Sequence, residues 1–153
     1  MRIRLNDELV ALLRDEQTSK VLATVDADGT PHAVVKQSLT VSDDGRLVHH
    51  ELLESSRTNK NLLRAIWFGG RVSVTVRRGD ESWQVKGRPV RAHVAGPLFQ
   101  REYVRVRERL GDVDLAAVWV IEPEEAVDQS FSRRKDREES AHPHFVHLDR
   151  ILA

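Results

Sequence analysis

Ser55, Ser56, Arg57 and Thr58 stand together in the stretch Glu51-Leu-Leu-Glu-Ser-Ser-Arg-Thr-Asn-Lys-Asn-Leu62, with Lys60 two places further on. A strand is expected just before them, over 46–51, and a helix just after, over 59–68. The start of a helix offers unpaired backbone N–H groups and the positive end of its dipole. Hydroxyls and a guanidinium added there make an anion site, most often one for phosphate. Ordinary capping by Ser or Thr uses the same residue types, so the spacing leaves both readings open.

Other side chains with chemical potential are more scattered. His142 and His144 alternate as they would on one side of a strand, and His147 follows, which is a metal-like spacing. No His-Glu-x-x-His pattern accompanies them, so surface histidines are the simpler reading and no metal is expected. Arg101, Arg105, Arg107 and Arg109 form a basic run, but Glu102 and Glu108 interleave, as on a solvated or dimer-facing helix. Trp67, Trp83 and Trp119 read as core or interface anchors. No Ser-His-Asp or nucleophile-elbow pattern stands out.

The chain has 153 residues, enough for one domain with a real core. Lys plus Arg and Asp plus Glu both total 24, so the formal net charge is zero. A general nucleic-acid binder would carry an excess of positive charge. Cysteine is absent, which excludes disulfides, thiol catalysis and thiolate metal sites. With no long apolar run and no signal-like N-terminus, the expectation is a soluble cytoplasmic protein that makes no membrane contact.

The elements that must position these residues follow from periodicity. Leu5, Leu9, Leu12 and Leu13 share one helix face, with Asn6 as cap and Asp7 and Glu8 in the first turn. Lys20 to Val25 reads as a strand, Asp26-Ala-Asp-Gly29 as a hairpin turn, and His32 to Val41 as the return strand. A turn at Asp43-Asp-Gly45 leads into the strand at 46–51. Gly69-Gly70 stops the helix at 59–68. Arg71 to Arg77 alternates with Val72, Val74 and Val76 on one face. Ser82 to Val94 is a long strand with an irregularity expected at Gly87 and Pro89. Pro97 opens a helix carrying Phe99, Tyr103, Val106 and Leu110 on one face. Ala116 to Ile121 is a sixth strand, stopped by Pro123. Ser132 to Ser140 mixes both charge signs and reads as an exposed loop. The tail, with Phe145, Val146, Leu148 and Ile151, is expected to pack back. Short strands and tight turns in this order argue for a closed antiparallel barrel.

Three pieces in this order resemble the FMN-binding split-barrel superfamily, specifically pyridoxamine 5′-phosphate oxidase-like proteins. They are Val21-Leu-Ala-Thr-Val-Asp-Ala-Asp-Gly-Thr-Pro-His32, then Ser56-Arg-Thr-Asn-Lys-Asn-Leu62 followed by Arg71-Val-Ser-Val74, and Trp83-Gln-Val-Lys-Gly87. The resemblance covers residues 5–127. It implies an α+β, mainly β fold: an antiparallel six-stranded split β-barrel with flanking helices, 1–127, and a C-terminal extension, 128–153, in one FMN-binding domain. It also implies a homodimer with the cofactor between the subunits.

Residue by residue, the resemblance puts the flavin phosphate on Ser56, Arg57, Thr58 and Lys60. Thr58 stands where the family commonly has Lys, and Lys60 lies two positions beyond. Val35, Lys36, Gln37 and Ser38 would run along the flavin ring, with Lys36 near its N1–C2=O edge. Glu51, Leu52 and Asn61 flank the phosphate motif, and Gln84 would reach the partner subunit's flavin phosphate. Apart from the resemblance, Trp119 or Trp83 is the aromatic residue that would stack near the ring. The C-terminal Arg-x-His and Trp of the oxidase have no counterpart here, so pyridoxamine 5′-phosphate oxidase activity is not expected. The implied function is a flavin-dependent oxidoreductase acting on an unnamed small molecule, with no catalytic side chain assigned. A non-catalytic flavin-binding or electron-carrying protein stays open. So do FAD, a deazaflavin, or haem with His49, His50 or a tail His as axial ligand.

Overall fold

The computed structural model describes residues 1–144. Its elements are helix α1 (Asp7–Arg14), strands β1 (Ser19–Val25), β2 (Pro31–Val35), β3 (Thr40–Val41) and β4 (Leu47–Glu51), helix α2 (Arg57–Phe68), strands β5 (Val72–Arg78) and β6 (Glu81–His93), helix α3 (Pro97–Leu110), strand β7 (Ala117–Asp128) and helix α4 (Phe131–Ala141). All strand pairs are antiparallel, and the order across the sheet is β2-β1-β5-β6-β7-β4-β3.

The sheet has seven strands where six were expected, because the run 32–41 is two strands on opposite edges of the sheet. Gln37 explains part of the break. Its side-chain oxygen accepts from the Lys20 backbone N–H at 3.1 Å, and its amide donates to the Thr18 carbonyl at 2.8 Å. The side chain thus extends the pairing with β1 while the backbone turns away, and Leu39 drops into the core. Seven flat strands would hold their edges roughly 29 Å apart. The link from Val35 to Thr40 reaches roughly 18 Å at full stretch. The sheet must therefore curl, and it forms a half-barrel with β2 and β3 as its two unpaired edges, where a closed barrel was expected.

The concave side holds the main core. Leu22, Leu47, Val74, Val76, Val85, Trp119 and Ile121 point inward, and Leu9 and Leu13 of α1 plug one end. The Asn6 side chain caps α1 by accepting from the Leu9 N–H at 2.8 Å. A second cluster forms outside the sheet, where Val106, Phe99 and Tyr103 of α3 cover Val118. Helix α3 thus covers the outer face of β7 at Val118 from within this chain.

Two further expectations are corrected. Strand β7 runs through Pro123 to Asp128. Proline is tolerated because Pro123 lies opposite Gly87 where the β6–β7 register shifts, and its missing N–H interrupts no regular ladder there. Its carbonyl accepts from Ile3 at 2.9 Å. The mixed-charge run 132–140 is helix, as α4. Every residue of α4 is exposed, so no apolar period marked it, and pairs such as Lys135 with Glu139 support it from the surface. The tail residues Phe145, Val146, Leu148 and Ile151, and His147, lie outside the described residues.

At the register shift the two backbones approach closely. A Cβ at Gly87 would sit 2.3 Å from the Glu122 carbonyl oxygen. Gly87→Ala is expected to cost about 1–3 kcal/mol through the forced backbone displacement. Urea unfolding measures it, and an unchanged midpoint would show that the strands can separate there freely.

Candidate functional site

The anion-site candidate is built by the turn from β4 into α2. Ser56 is the N-cap: its side-chain oxygen accepts from the Asn59 N–H at 3.0 Å, and its carbonyl accepts from the Lys60 N–H. The helix therefore starts at Arg57, two residues earlier than expected. The remaining first-turn N–H groups, those of Arg57 and Thr58, have no helical acceptor. Around them the side chains take different directions. Arg57 and Lys60 face solvent, Ser56 is half-buried, and Thr58, Asn59 and Asn61 are buried.

Buried amides fix this turn. Asn59 donates to the Glu54 carbonyl at 2.9 Å and accepts from the Trp119 indole N–H at 2.9 Å, tying the loop to the core. Asn61 donates to Thr24 Oγ1 at 2.9 Å and to Asp26 Oδ1 at 2.8 Å. Arg57 reaches the other oxygen of Asp26 at 3.3 Å. The two ends of β1 and α2 are thus locked together. The exposed Arg57–Asp26 pair is weak and open to exchange for a stronger anion.

A second group forms on β4 and the link after β2. Glu51 is buried, and one of its carboxylate oxygens lies 3.1 Å from His49 Nε2 and 3.7 Å from Lys36 Nζ. Its other oxygen accepts from the Leu53 N–H at 3.2 Å. Burial alone would raise the Glu51 pKa, but the hydrogen bond from His49 and the charges around it outweigh that and hold it below the usual carboxylate range. His49 is wholly buried, and burial holds it below the ordinary histidine value despite Glu51. Its neutral form donates from Nε2 to Glu51 and turns Nδ1 toward the Ser38 hydroxyl at 3.5 Å. Ser38 donates to the His50 carbonyl at 3.2 Å. That bond, and the depth of His49, distinguish the Ser38–His49–Glu51 row from a hydrolytic triad.

On the outer side of β4, His50 Nε2 meets Glu102 of α3 at 3.0 Å, and Arg105 holds the other Glu102 oxygen at 3.0 Å. This pair, 52 residues apart in sequence, docks α3 onto the sheet. Burial holds the His50 pKa down, Glu102 opposes it, and Arg109 and His49 lower it further. Both imidazoles resist protonation in the fold and accept it freely once unfolded. Their contribution is complete above the ordinary value of 6.5 and is lost as pH falls from there toward the lowered native values. The urea midpoint is expected to drop between about pH 7.5 and about pH 5.5. A midpoint that rose over this interval would contradict the burial of neutral imidazoles.

The structure thus brings Lys36, Ser38 and Glu51 together, and separately Ser56, Arg57, Lys60 and Asn61. Leu52 is half-buried and packs in the cluster under α3 with Val106, Leu115 and Val118. Gln37 is turned to β1, as described. Trp119 lies wholly inside the core with its indole N–H engaged, and Val35 is exposed on the edge strand. Gln84 is half-buried in mid-sheet, paired with Thr75 and Val127 and facing outward. Asn59, Asp26 and the His50–Glu102 pair carry the geometry without having been marked by spacing. Among the described residues no group of three or more His, Asp or Glu is placed to hold a metal ion. No helix among them is long and apolar enough to cross a membrane.

No family model and no curated protein matches the chain. Solved structures do. HupZ of Group A Streptococcus superposes with a TM-score of 0.68 at 20% identity, covering 83% of this chain and 95% of HupZ. An FMN-binding protein from Syntrophomonas wolfei gives 0.64 at 18% identity, covering 81% and 88%. A protein from Lactobacillus delbrueckii, provisionally named a pyridoxamine 5′-phosphate oxidase, gives 0.63 at 24% identity, covering 81% and 93%. The chain thus shares the fold of these structures.

Proposed function

We propose that this chain binds a flavin, with FMN the form its donors suit, and that it works as a flavin-dependent oxidoreductase on a small molecule. The observation that carries this reading is the start of α2. Arg57 and Lys60 are exposed there beside two backbone N–H groups without helical acceptors. A phosphate monoester fits that donor set. A bound flavin supplies the electron transfer itself. The chain's residues hold and orient. Arg57 exchanges Asp26 for the phosphate, Lys60 adds charge, and Ser56, Asn59 and Asn61 keep the turn rigid. The buried His49–Glu51 pair sets the position of the Lys36 ammonium. A non-catalytic flavin carrier would use the same donors, and NAD(P)H oxidation by the FMN-loaded protein favours the oxidoreductase.

The site is completed, in this reading, by a second copy of the chain. Support comes from the outer face of the β1–β2 hairpin. Val21, Ala23 and Val25 lie in register with Val35, Ala33 and Pro31, and the last three are exposed. A strand pair facing water should carry polar residues on that side. Gln84 falls in the same cross-strand row as Val21 and Thr75, on the face a partner would cover. Light scattering after sizing, with and without FMN, is expected to give twice the 17.5 kDa chain mass. A 17.5 kDa species that still takes up FMN would overturn the shared site.

A further inference from the structure

A groove of about 820 Å³ lies between α3 and the sheet, away from the α2 turn. Its size is that of a small-molecule site. Val48, Val90, Val120 and Leu98 supply apolar lining. Four carboxylates border it, and each has a partner. Asp44 and Glu122 are held by Arg46, Asp43 by Arg14 at 3.4 Å, and Glu102 by His50 and Arg105.

Two cations in the lining are left over. Arg91, on β6, and Arg101, on α3, make no hydrogen bond or ion pair among the described residues. His93 beside them adds no charge at neutral pH, because burial and then the Arg91 charge hold its pKa down. The two guanidiniums of the lining that no carboxylate engages therefore stand one on the sheet wall and one on the helix wall. Guanidinium forks match carboxylate or phosphate oxygens in pairs.

We propose that this groove is a second ligand site, for an organic dianion with a flat apolar body, with Arg91 and Arg101 each taking one acidic group. The site is independent of the flavin site, since it shares no residue with the α2 turn. The apolar body lies on Val90 and Leu98, and the two anionic ends reach the two walls.

The test is calorimetric titration of the wild-type protein with naphthalene-2,6-dicarboxylate and, separately, with its neutral dimethyl ester. The dicarboxylate is expected to bind at least about tenfold more tightly than the ester. Arg91→Ala and Arg101→Ala, both at exposed positions, are each expected to weaken it about ten- to a hundredfold. Arg57→Ala is expected to leave it unchanged, which separates this site from the flavin site. Absence of binding, equal binding of ester and diacid, or affinity lost in Arg57→Ala but kept in the two groove variants would each overturn the proposal.

Discussion

Glu51→Ala is expected to destabilise the fold by about 3–5 kcal/mol, the largest single effect of any polar residue in the barrel. The carboxylate is buried and serves three donors: the His49 ring, the Leu53 N–H and the Lys36 ammonium. Alanine deprives all three donors of their acceptor at once, and His49 is wholly buried. Glu51→Gln keeps one acceptor and is expected to fall between wild type and alanine. Urea unfolding near neutral pH measures the difference. A loss below about 1 kcal/mol would mean that the carboxylate is solvated and the network is not closed.

Arg57→Ala is expected to weaken FMN binding about ten- to a hundredfold, the size of one charge-assisted contact of about 1.5–3 kcal/mol. Stability should hardly move, because Arg57 is exposed and its pair with Asp26 is a surface pair. Asn61 still holds Asp26, so the helix start stays in place. The split between lost affinity and kept stability identifies a ligand contact. Unchanged FMN affinity would remove the phosphate from this helix start.

Local chemistry made some elements legible. The Asn6 cap with Leu9, Leu12 and Leu13 marked α1, and the strict alternation of Val72, Val74 and Val76 marked β5. Gly87 and Pro89 marked the irregularity in β6, where the register indeed shifts. Other features depend on tertiary partners. The apolar run 32–41 looks continuous, and only the bonds from Gln37 to Thr18 and Lys20 and the crossing between sheet edges divide it. α4 has no buried face, so periodicity could not show it. At the site, residue types were readable at 56–61, but not their directions. Thr58 and Asn61 turn inward because Thr24, Asp26 and the core receive that side of α2, while Arg57 and Lys60 remain outside. The His50–Glu102 pair joins a strand to a helix across 52 residues, a distance at which spacing carries no signal.

The most direct measurement is the absorbance spectrum of the freshly purified protein, followed by titration of the same sample with FMN. Flavin bands are expected in the purified protein, or their uptake at one FMN per chain, perturbed from free FMN and lost on dilution sooner in Arg57→Ala. A Soret band with no uptake of FMN, or a spectrum of added FMN identical to that of FMN in buffer, would contradict flavin binding.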